Sequence, residues 1–147
     1  MNTSIDMLDS RLIAIAKAFI DELIRLKIPH VLWCTIRTTD EQVALYFQGR
    51  ASLRMVNILR KKAKMRLLSE KENGYTVTER DGVNDFSNHQ MGLALDVVPR
   101  GGYGQPVWPS ATDPRWLTIA EVGEKFGLKW GGRWSSPDFP HYEYLEV

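Results

Sequence analysis

The chain has 147 residues, a length typical of one domain that buries a hydrophobic core without disulfides. A composition of 44% hydrophobic and 25% charged residues is ordinary for a folded protein and argues against long disordered stretches. The net charge is only +1, whereas dedicated nucleic-acid-binding domains are strongly basic, so we expect no nucleic-acid partner.

The chain starts without a charged-then-apolar leader, and no apolar run approaches the roughly 20 residues that span a bilayer. We therefore expect a protein that is made in the cytoplasm without a signal peptide and does not insert stably into a membrane. Hydrophobic residues then recur at three- and four-residue steps over residues 7 to 28, which predicts an amphipathic helix that Pro29 ends.

The run VLWCTIRT (31 to 38) is rich in β-branched and aromatic residues and predicts a buried strand with Arg37 at its exit. Cys34 is the only cysteine, which excludes an internal disulfide. Because it lies in this apolar run, we expect it to be a small buried hydrophobic residue. Residues 40 to 50 predict a second helix, which Thr39 or Asp40 caps.

Residues 52 to 68 predict a third helix. Its basic face contains Arg54, Arg60, Lys61, Lys62, Lys64 and Arg66. Such a face attracts anionic cell-wall polymers or phosphate-bearing lipids, although most charged helix faces are simply solvated. Beyond it we expect a turn at 72 to 75, a short strand at 75 to 78 and another turn at 80 to 85.

The run LALDVV (93 to 98) predicts a strand, and the glycines and prolines of residues 97 to 110 predict an irregular surface loop. Residues 111 to 128 predict a helix, and the aromatic C-terminal tail ends in a strand-like alternation. We therefore expect one α+β domain over residues 1–147, with a small antiparallel sheet, helices packed around it and a metal site in an open cleft.

Asp96 is the first candidate functional residue because it is flanked by apolar neighbours, where an ionised carboxylate is costly unless it is paired or binds a metal. Gly92 allows His89 to fold back toward Asp96, and His141 opens the C-terminal strand. Two imidazoles and one carboxylate would form a three-ligand zinc site with a fourth position for water. Spacing alone leaves the alternative open that His89 caps a turn, Asp96 pairs with an arginine and His141 is a surface residue.

Three groups of motifs resemble a known family. The motif S-x-H-x-x-G-x-A-x-D is formed by Ser87, His89, Gly92, Ala94 and Asp96. The motifs W-G-G-x-W and D-x-P-H follow at 130–134 and 138–141, and R-T-x-x-E-Q-x-x-L-Y-x-Q-G-R spans 37–50. Together they resemble the D-alanyl-D-alanine carboxypeptidase and L-alanyl-D-glutamate peptidase family of zinc enzymes, most of all its phage endolysin branch. The helical stretch 52 to 68 resembles an insertion in some phage lysins.

This resemblance implies that His89, Asp96 and His141 bind zinc and that Asp138 is the general base. Zinc lowers the pKa of water toward neutrality, and a nearby carboxylate can take its proton as it attacks an amide carbonyl. The motif D-x-P-H brings Asp138 and His141 together within one turn. Without the resemblance, Asp138 reads equally well as a turn aspartate after Ser-Ser-Pro.

For Arg37 the resemblance implies a role at the transition state, since a guanidinium can stabilise an oxyanion or clamp a carboxylate. We also predict that Gln42, Ser87 and Arg50 bind substrate. The alternative for Ser87, two residues before His89, is that it orients this loop. The alternative for the arginines is that they are solvated or paired on the surface.

These expectations describe a monomeric zinc peptidase whose partner is the peptidoglycan stem peptide. The favoured activity is that of a phage or prophage endolysin that cuts between L-alanine and D-glutamate and is released to the wall by a separate pore-forming protein. One alternative is a D-alanyl-D-alanine carboxypeptidase or dipeptidase with the same site. The other is a non-catalytic zinc-containing module that binds the cell wall.

Overall fold

The computed structural model describes residues 1–146, and these residues form four α-helices and four β-strands. In chain order the elements are α1 (Ser10–Arg25), β1 (His30–Cys34), α2 (Thr39–Phe47), α3 (Leu53–Lys62), β2 (Ala94–Pro99), α4 (Pro114–Lys125), β3 (Leu128–Trp130) and β4 (His141–Tyr144). No helix in the described part of the chain is both long enough and apolar enough to span a bilayer.

The chain divides into two compact units. The sheet unit comprises Asn2–Ile36 and the chain from Gly92 onward, and the helical unit comprises Met1 and Arg37–Met91. The expected α+β class is confirmed. That the whole chain behaves as one domain stays a prediction.

In the sheet unit, four antiparallel strands are arranged in the order β1-β2-β4-β3. The register is shifted between Leu32 and Cys34 on β1, which turns Trp33 outward to 38% exposure. The predicted strand 31–38 ends at Cys34, because the next N–H, that of Thr35, donates to the carbonyl of Asn2 at 2.8 Å instead of to β2.

Helices α1 and α4 pack on the sheet and bury the hydrophobic core, which confirms the predicted layer of helices. The largest contributions come from Leu12, Phe19, Leu23, Leu95, Val97, Trp116, Ile119 and Tyr142. Phe19 and Tyr142 contact each other with ring centroids 4.9 Å apart. Asp9 and Asp113 cap the two helices by accepting from the N–H groups of Arg11 and Arg115, both at 2.9 Å. The local sequence therefore fixes where α1 and α4 begin.

The helical unit begins with α2, which is capped by Thr38 rather than by Thr39 or Asp40 as expected. The Thr38 hydroxyl accepts from the Glu41 N–H at 3.1 Å. The difference of one residue arises because Thr38 keeps the extended backbone that a cap requires, whereas Thr39 is already helical. Gly49, with φ of 77°, follows the helix as expected.

Helix α3 is shorter than the predicted 52–68 because the chain reverses after Lys62. Lys64 has a φ of 57°, which ends the helical path. The side chain of Asn57 then accepts from the Leu68 N–H at 2.8 Å and donates to the Leu68 carbonyl at 3.0 Å, so the returning segment lies against the helix.

The strand predicted at 75–78 is absent from the described residues. The hydroxyl of Thr78 accepts from Gln42 Nε2 at 3.1 Å, and its carbonyl accepts from Arg50 Nη1 at 2.8 Å. The Arg50 side chain thus binds a backbone carbonyl that a sheet would otherwise use. The turns at 72–75 and 80–85 are confirmed, the second by Asp81, which accepts from the backbone of Val83 at 2.8 Å.

Candidate metal centre

A row of three side chains crosses the sheet at the level of Asp96. The Cα atom of Asp96 on β2 lies opposite that of Cys34 on β1 and opposite that of His141 on β4. Directly opposed residues of antiparallel strands project to the same face of a sheet. Cys34 is 0% exposed, and Asp96 and His141 are each 7% exposed. The register of the sheet therefore brings two predicted zinc ligands together in a buried position.

The distance between these two ligands suits a shared metal ion. Nδ1 of His141 lies 3.6 Å from Oδ1 of Asp96. Zinc bonds of about 2.0–2.2 Å in tetrahedral geometry separate two ligand atoms by roughly 3.4 Å. Imidazole nitrogen and carboxylate oxygen are also common zinc donors. Both the donors and their spacing thus fit zinc.

Cys34 is a neighbour of this pair that the sequence did not reveal as part of the site. Its burial was expected and is confirmed. Its Sγ and a ligand oxygen of Asp96 lie within 4.8 Å of each other, so a soft donor stands beside the carboxylate. Sequence reasoning missed this because the pairing depends on the shifted register of β1 and β2, which no local pattern encodes.

The other ring nitrogen of His141 contacts a second carboxylate. Nε2 of His141 lies 2.8 Å from Oε2 of Glu143, two residues along β4. Burial alone would lower the pKa of His141, but the neighbouring carboxylates of Asp96 and Glu143 and the nearby charge of Asp138 outweigh it and raise the pKa to about 9. In the absence of a metal this imidazole is therefore held in its charged form at neutral pH.

Asp138 lies on the turn that enters β4, and it is exposed. Its N–H donates to the Gly131 carbonyl at 2.9 Å, and its carbonyl accepts from the His141 N–H at 3.2 Å. A Cβ atom at Gly131 would lie 2.6 Å from the Asp138 carbonyl oxygen, so this close approach requires glycine. The ring of Trp134 packs beside His141 with centroids 5.1 Å apart. An exposed carboxylate is thus fixed by its backbone near a buried imidazole.

In the helical unit, Gln42 is the centre of a polar network. Its side chain is 0% exposed. Oε1 accepts from Ser87 Oγ at 3.0 Å and from Arg37 Nη1 at 3.3 Å. Nε2 donates to the Thr78 hydroxyl at 3.1 Å and to the Arg80 carbonyl at 2.9 Å. Arg37, Gln42 and Ser87 therefore do come together, with Gln42 as their buried link. That they contact substrate stays a prediction.

His89 also belongs to the helical unit and is 2% exposed. Its carbonyl accepts from the Arg37 N–H at 3.1 Å. Asp96 and His141 belong to the sheet unit, so the convergence of all three ligands on one ion stays a prediction.

Arg50 and part of the basic face predicted for residues 52–68 make internal contacts. Arg50 donates to the Tyr46 carbonyl at 2.6 Å, and its guanidinium lies 4.2 Å from the centroid of the Tyr46 ring. Arg60 is buried and donates to the backbone of residue 66, while Lys62 pairs with Asp40 at 2.9 Å. Part of the basic face therefore stabilises the unit itself, and the binding of substrate by Arg50 stays a prediction.

Residues 81–144 match the model of the D-alanyl-D-alanine carboxypeptidase family. This segment includes the motifs around His89, Asp96, Asp138 and His141, and it confirms the family resemblance that they indicate. The segment from 37 to 50 lies outside the match.

Several solved structures have a similar fold. The L-Ala D-Glu endopeptidase ChiX of Serratia marcescens aligns with a TM-score of 0.55 and 17% identity over 96% of this chain and 83% of that one. The vancomycin-resistance D,D-pentapeptidase VanY from the VanB-type cassette, in complex with Zn(II), gives 0.57 and 18% identity over 95% of this chain and 73% of its own. VanYB in complex with D-alanine-D-alanine gives 0.58 and 19% identity over 95% and 72%.

Proposed function

We propose that this chain, whose residues 81–144 match the D-alanyl-D-alanine carboxypeptidase family, is a zinc-dependent peptidase that hydrolyses an amide bond in the stem peptide of bacterial peptidoglycan. The observation that carries the proposal is the buried Asp96–His141 pair, whose ligand atoms are 3.6 Å apart. The solved relatives support the metal and the substrate class, since one is a Zn(II) complex and another holds D-alanine-D-alanine.

In this mechanism His89, Asp96 and His141 would hold the zinc ion. When bound, zinc supplies Lewis acidity that polarises a carbonyl and lowers the pKa of water toward neutrality. Asp138 takes the proton from the attacking water and passes it to the leaving amine. The exposed position of Asp138, fixed through Gly131, suits a group that must meet both water and substrate.

Arg37 stabilises the negative charge that develops on the carbonyl oxygen of the substrate. A guanidinium in a fixed direction is effective here because it needs little reorganisation during the reaction. The bond from Arg37 Nη1 to Gln42 Oε1 restrains that direction, and Gln42 is itself held by Thr78 and the Arg80 carbonyl. Ser87 and Arg50 complete the proposed substrate-binding residues.

For the scissile bond we propose L-alanyl-D-glutamate, the activity named for the Serratia marcescens relative. The alternative is cleavage of D-alanyl-D-alanine, which the description of the matched family and the VanYB complex favour. A non-catalytic zinc-containing wall-binding module is the third possibility, and the combination of Asp138 and Arg37 with the ligand motifs argues against it.

We further propose that the protein is a monomeric phage or prophage endolysin. The support is the resemblance of the motifs to the phage endolysin branch and of the stretch 52–68 to an insertion in some phage lysins. Such a protein is made in the cytoplasm of the host and reaches the wall through a separate pore-forming protein.

Digestion of purified peptidoglycan followed by mass spectrometry of the muropeptides tests this function. An L-alanyl-D-glutamate endopeptidase exposes new D-glutamate N-termini, whereas a D-alanyl-D-alanine carboxypeptidase releases single alanines. Muropeptides that remain unchanged in the presence of zinc would favour the binding module.

A further inference from the structure

Glu143 is held on both of its carboxylate oxygens by neighbours in the sheet unit. Oε2 lies 2.8 Å from Nε2 of His141, and Oε1 lies 3.6 Å from Nζ of Lys129. Lys129 is the cross-strand partner of Glu143 on β3, and Ala94 is its partner on β2. The side chain of Glu143 is 13% exposed. The small alanine on one side and the cation on the other leave the carboxylate directed along β4 toward His141.

The position of Glu143 follows from the period of the strand. His141 and Glu143 are two residues apart on β4, so their side chains project to the same face. On that face Nδ1 of His141 is directed at Asp96 and Nε2 at Glu143. The two ring nitrogens therefore meet different carboxylates, and only Nδ1 faces the second metal ligand.

We propose that Glu143 is the positioning residue of the metal centre, which accepts the Nε2–H of His141 and thereby directs Nδ1 to the metal. The inference rests on the proposed function, because it takes His141 as a zinc ligand. Histidines that bind metals commonly donate their other ring N–H to a carboxylate, which fixes the tautomer and the ring orientation. Lys129, 3.6 Å from the other oxygen of Glu143, helps to hold that carboxylate in place.

This role separates Glu143 from Asp138. A general base must meet the water whose proton it takes, and Asp138 is exposed on a turn. Glu143 is largely buried, and both of its oxygens are engaged by His141 and Lys129. Glu143 therefore acts through His141, and Asp138 acts on the substrate.

Zinc affinity, measured by competition with a chelator, tests the inference. We expect Glu143→Ala to weaken zinc binding by about 10- to 100-fold, as for other partners of metal-binding histidines. Glu143→Gln keeps an acceptor oxygen for Nε2–H and should lose less. The matched control is Glu121→Ala, which removes an exposed carboxylate from α4 and should bind zinc as the wild type does. A Glu143→Ala protein with wild-type zinc affinity would overturn the inference.

Two-bond ¹H–¹⁵N spectra of the imidazoles give a second readout that needs no activity. We expect a slowly exchanging Nε2–H signal of His141 in the wild type, retained in Glu143→Gln and lost in Glu143→Ala. If Glu143→Ala fails to fold, the Glu143→Gln variant decides. Zinc affinity below that of the wild type, with the Nε2–H signal retained, supports the inference. Zinc affinity equal to that of the wild type contradicts it.

The outcomes distinguish this inference from the proposed function. A wild-type protein that binds zinc, with an affinity that Glu143 does not influence, defeats the inference alone. A wild-type protein that binds no zinc defeats the proposed function and the zinc-directing role together. Loss of turnover in Glu143→Gln at unchanged zinc affinity would assign proton transfer to Glu143 and would also overturn the inference.

Discussion

Asp96 and His141 face each other across β2 and β4, and Nδ1 of His141 lies 3.6 Å from Oδ1 of Asp96 in a buried position. This relationship depends on strand register, and it turns two residues that are 45 positions apart in the sequence into neighbours.

The first prediction concerns pH and the metal-free protein. Carboxylates of Asp96, Glu143 and Asp138 raise the pKa of His141 to about 9 against the effect of burial, and Lys129 is the cation on the neighbouring strand. Because folding raises the pKa of His141, protonated His141 stabilises the fold. This contribution is complete below pH 6.5, the pKa in the unfolded chain, and is lost as the pH rises toward 9. Denaturant unfolding of the chelator-treated protein should therefore show falling stability over this window, and His141→Gln should flatten the curve.

Zinc affinity should change in the opposite direction over the same pH range. The metal competes with a proton for His141, so deprotonation favours binding. Titrations at several pH values should show zinc affinity rising until about pH 9. An affinity that does not change with pH would speak against His141 as a ligand.

The second prediction concerns Asp138. Asp138→Ala should keep zinc, since Asp138 is not one of the proposed ligands. It should lose turnover by roughly two to four orders of magnitude, as expected for a general base. Zinc content and the rate on a soluble stem peptide are measured on the same preparation. An unchanged rate would assign the base to another residue.

The third prediction concerns Gly131, where an added Cβ would lie 2.6 Å from the Asp138 carbonyl oxygen and 3.1 Å from the Cβ of His141. Gly131→Ala should displace the turn and lower turnover through both residues. The matched control is Gly102→Ala, since nothing lies within 4 Å of a Cβ at that position. Equal rates for the two variants would show that the close approach at Gly131 is unimportant.

The fourth prediction concerns the buried amide of Gln42. Gln42→Ala leaves the Ser87 hydroxyl, the Thr78 hydroxyl and the Arg80 carbonyl without this partner, and should cost about 1–3 kcal/mol of unfolding free energy. The exposed Gln105→Ala is the control and should change stability by about 0.5 kcal/mol or less. A Gln42→Ala protein as stable as the control would contradict the proposed network.

The local sequence predicted those elements whose ends carry their own signals. Asp113 with Pro114 starts α4 and Gly127 follows it, and the alternation around Asp96 gave β2. The strand expected at 75–78 was wrong because Gln42 and Arg50, far away in the chain, bind the groups of Thr78. A propensity pattern has no information about such distant partners.

The candidate site shows the same division. The family resemblance indicated Asp96 and His141 as ligands of one ion, and the register of β2 and β4 places them opposite each other. That they bind a metal stays a prediction. The position of Cys34 opposite Asp96 and the contact between Glu143 and His141 were not predicted, since both depend on register and side-chain direction. That His89 binds the same metal ion stays a prediction from the motif S-x-H-x-x-G-x-A-x-D.

The metal content of the purified protein tests the central claim most directly. Elemental analysis should find one zinc ion per chain in the wild type and in Asp138→Ala, and a strongly reduced content in His89→Ala, Asp96→Ala and His141→Ala, each checked for folding by circular dichroism. A wild-type protein without zinc after incubation with the ion, or folded ligand variants that retain it in full, would contradict the account.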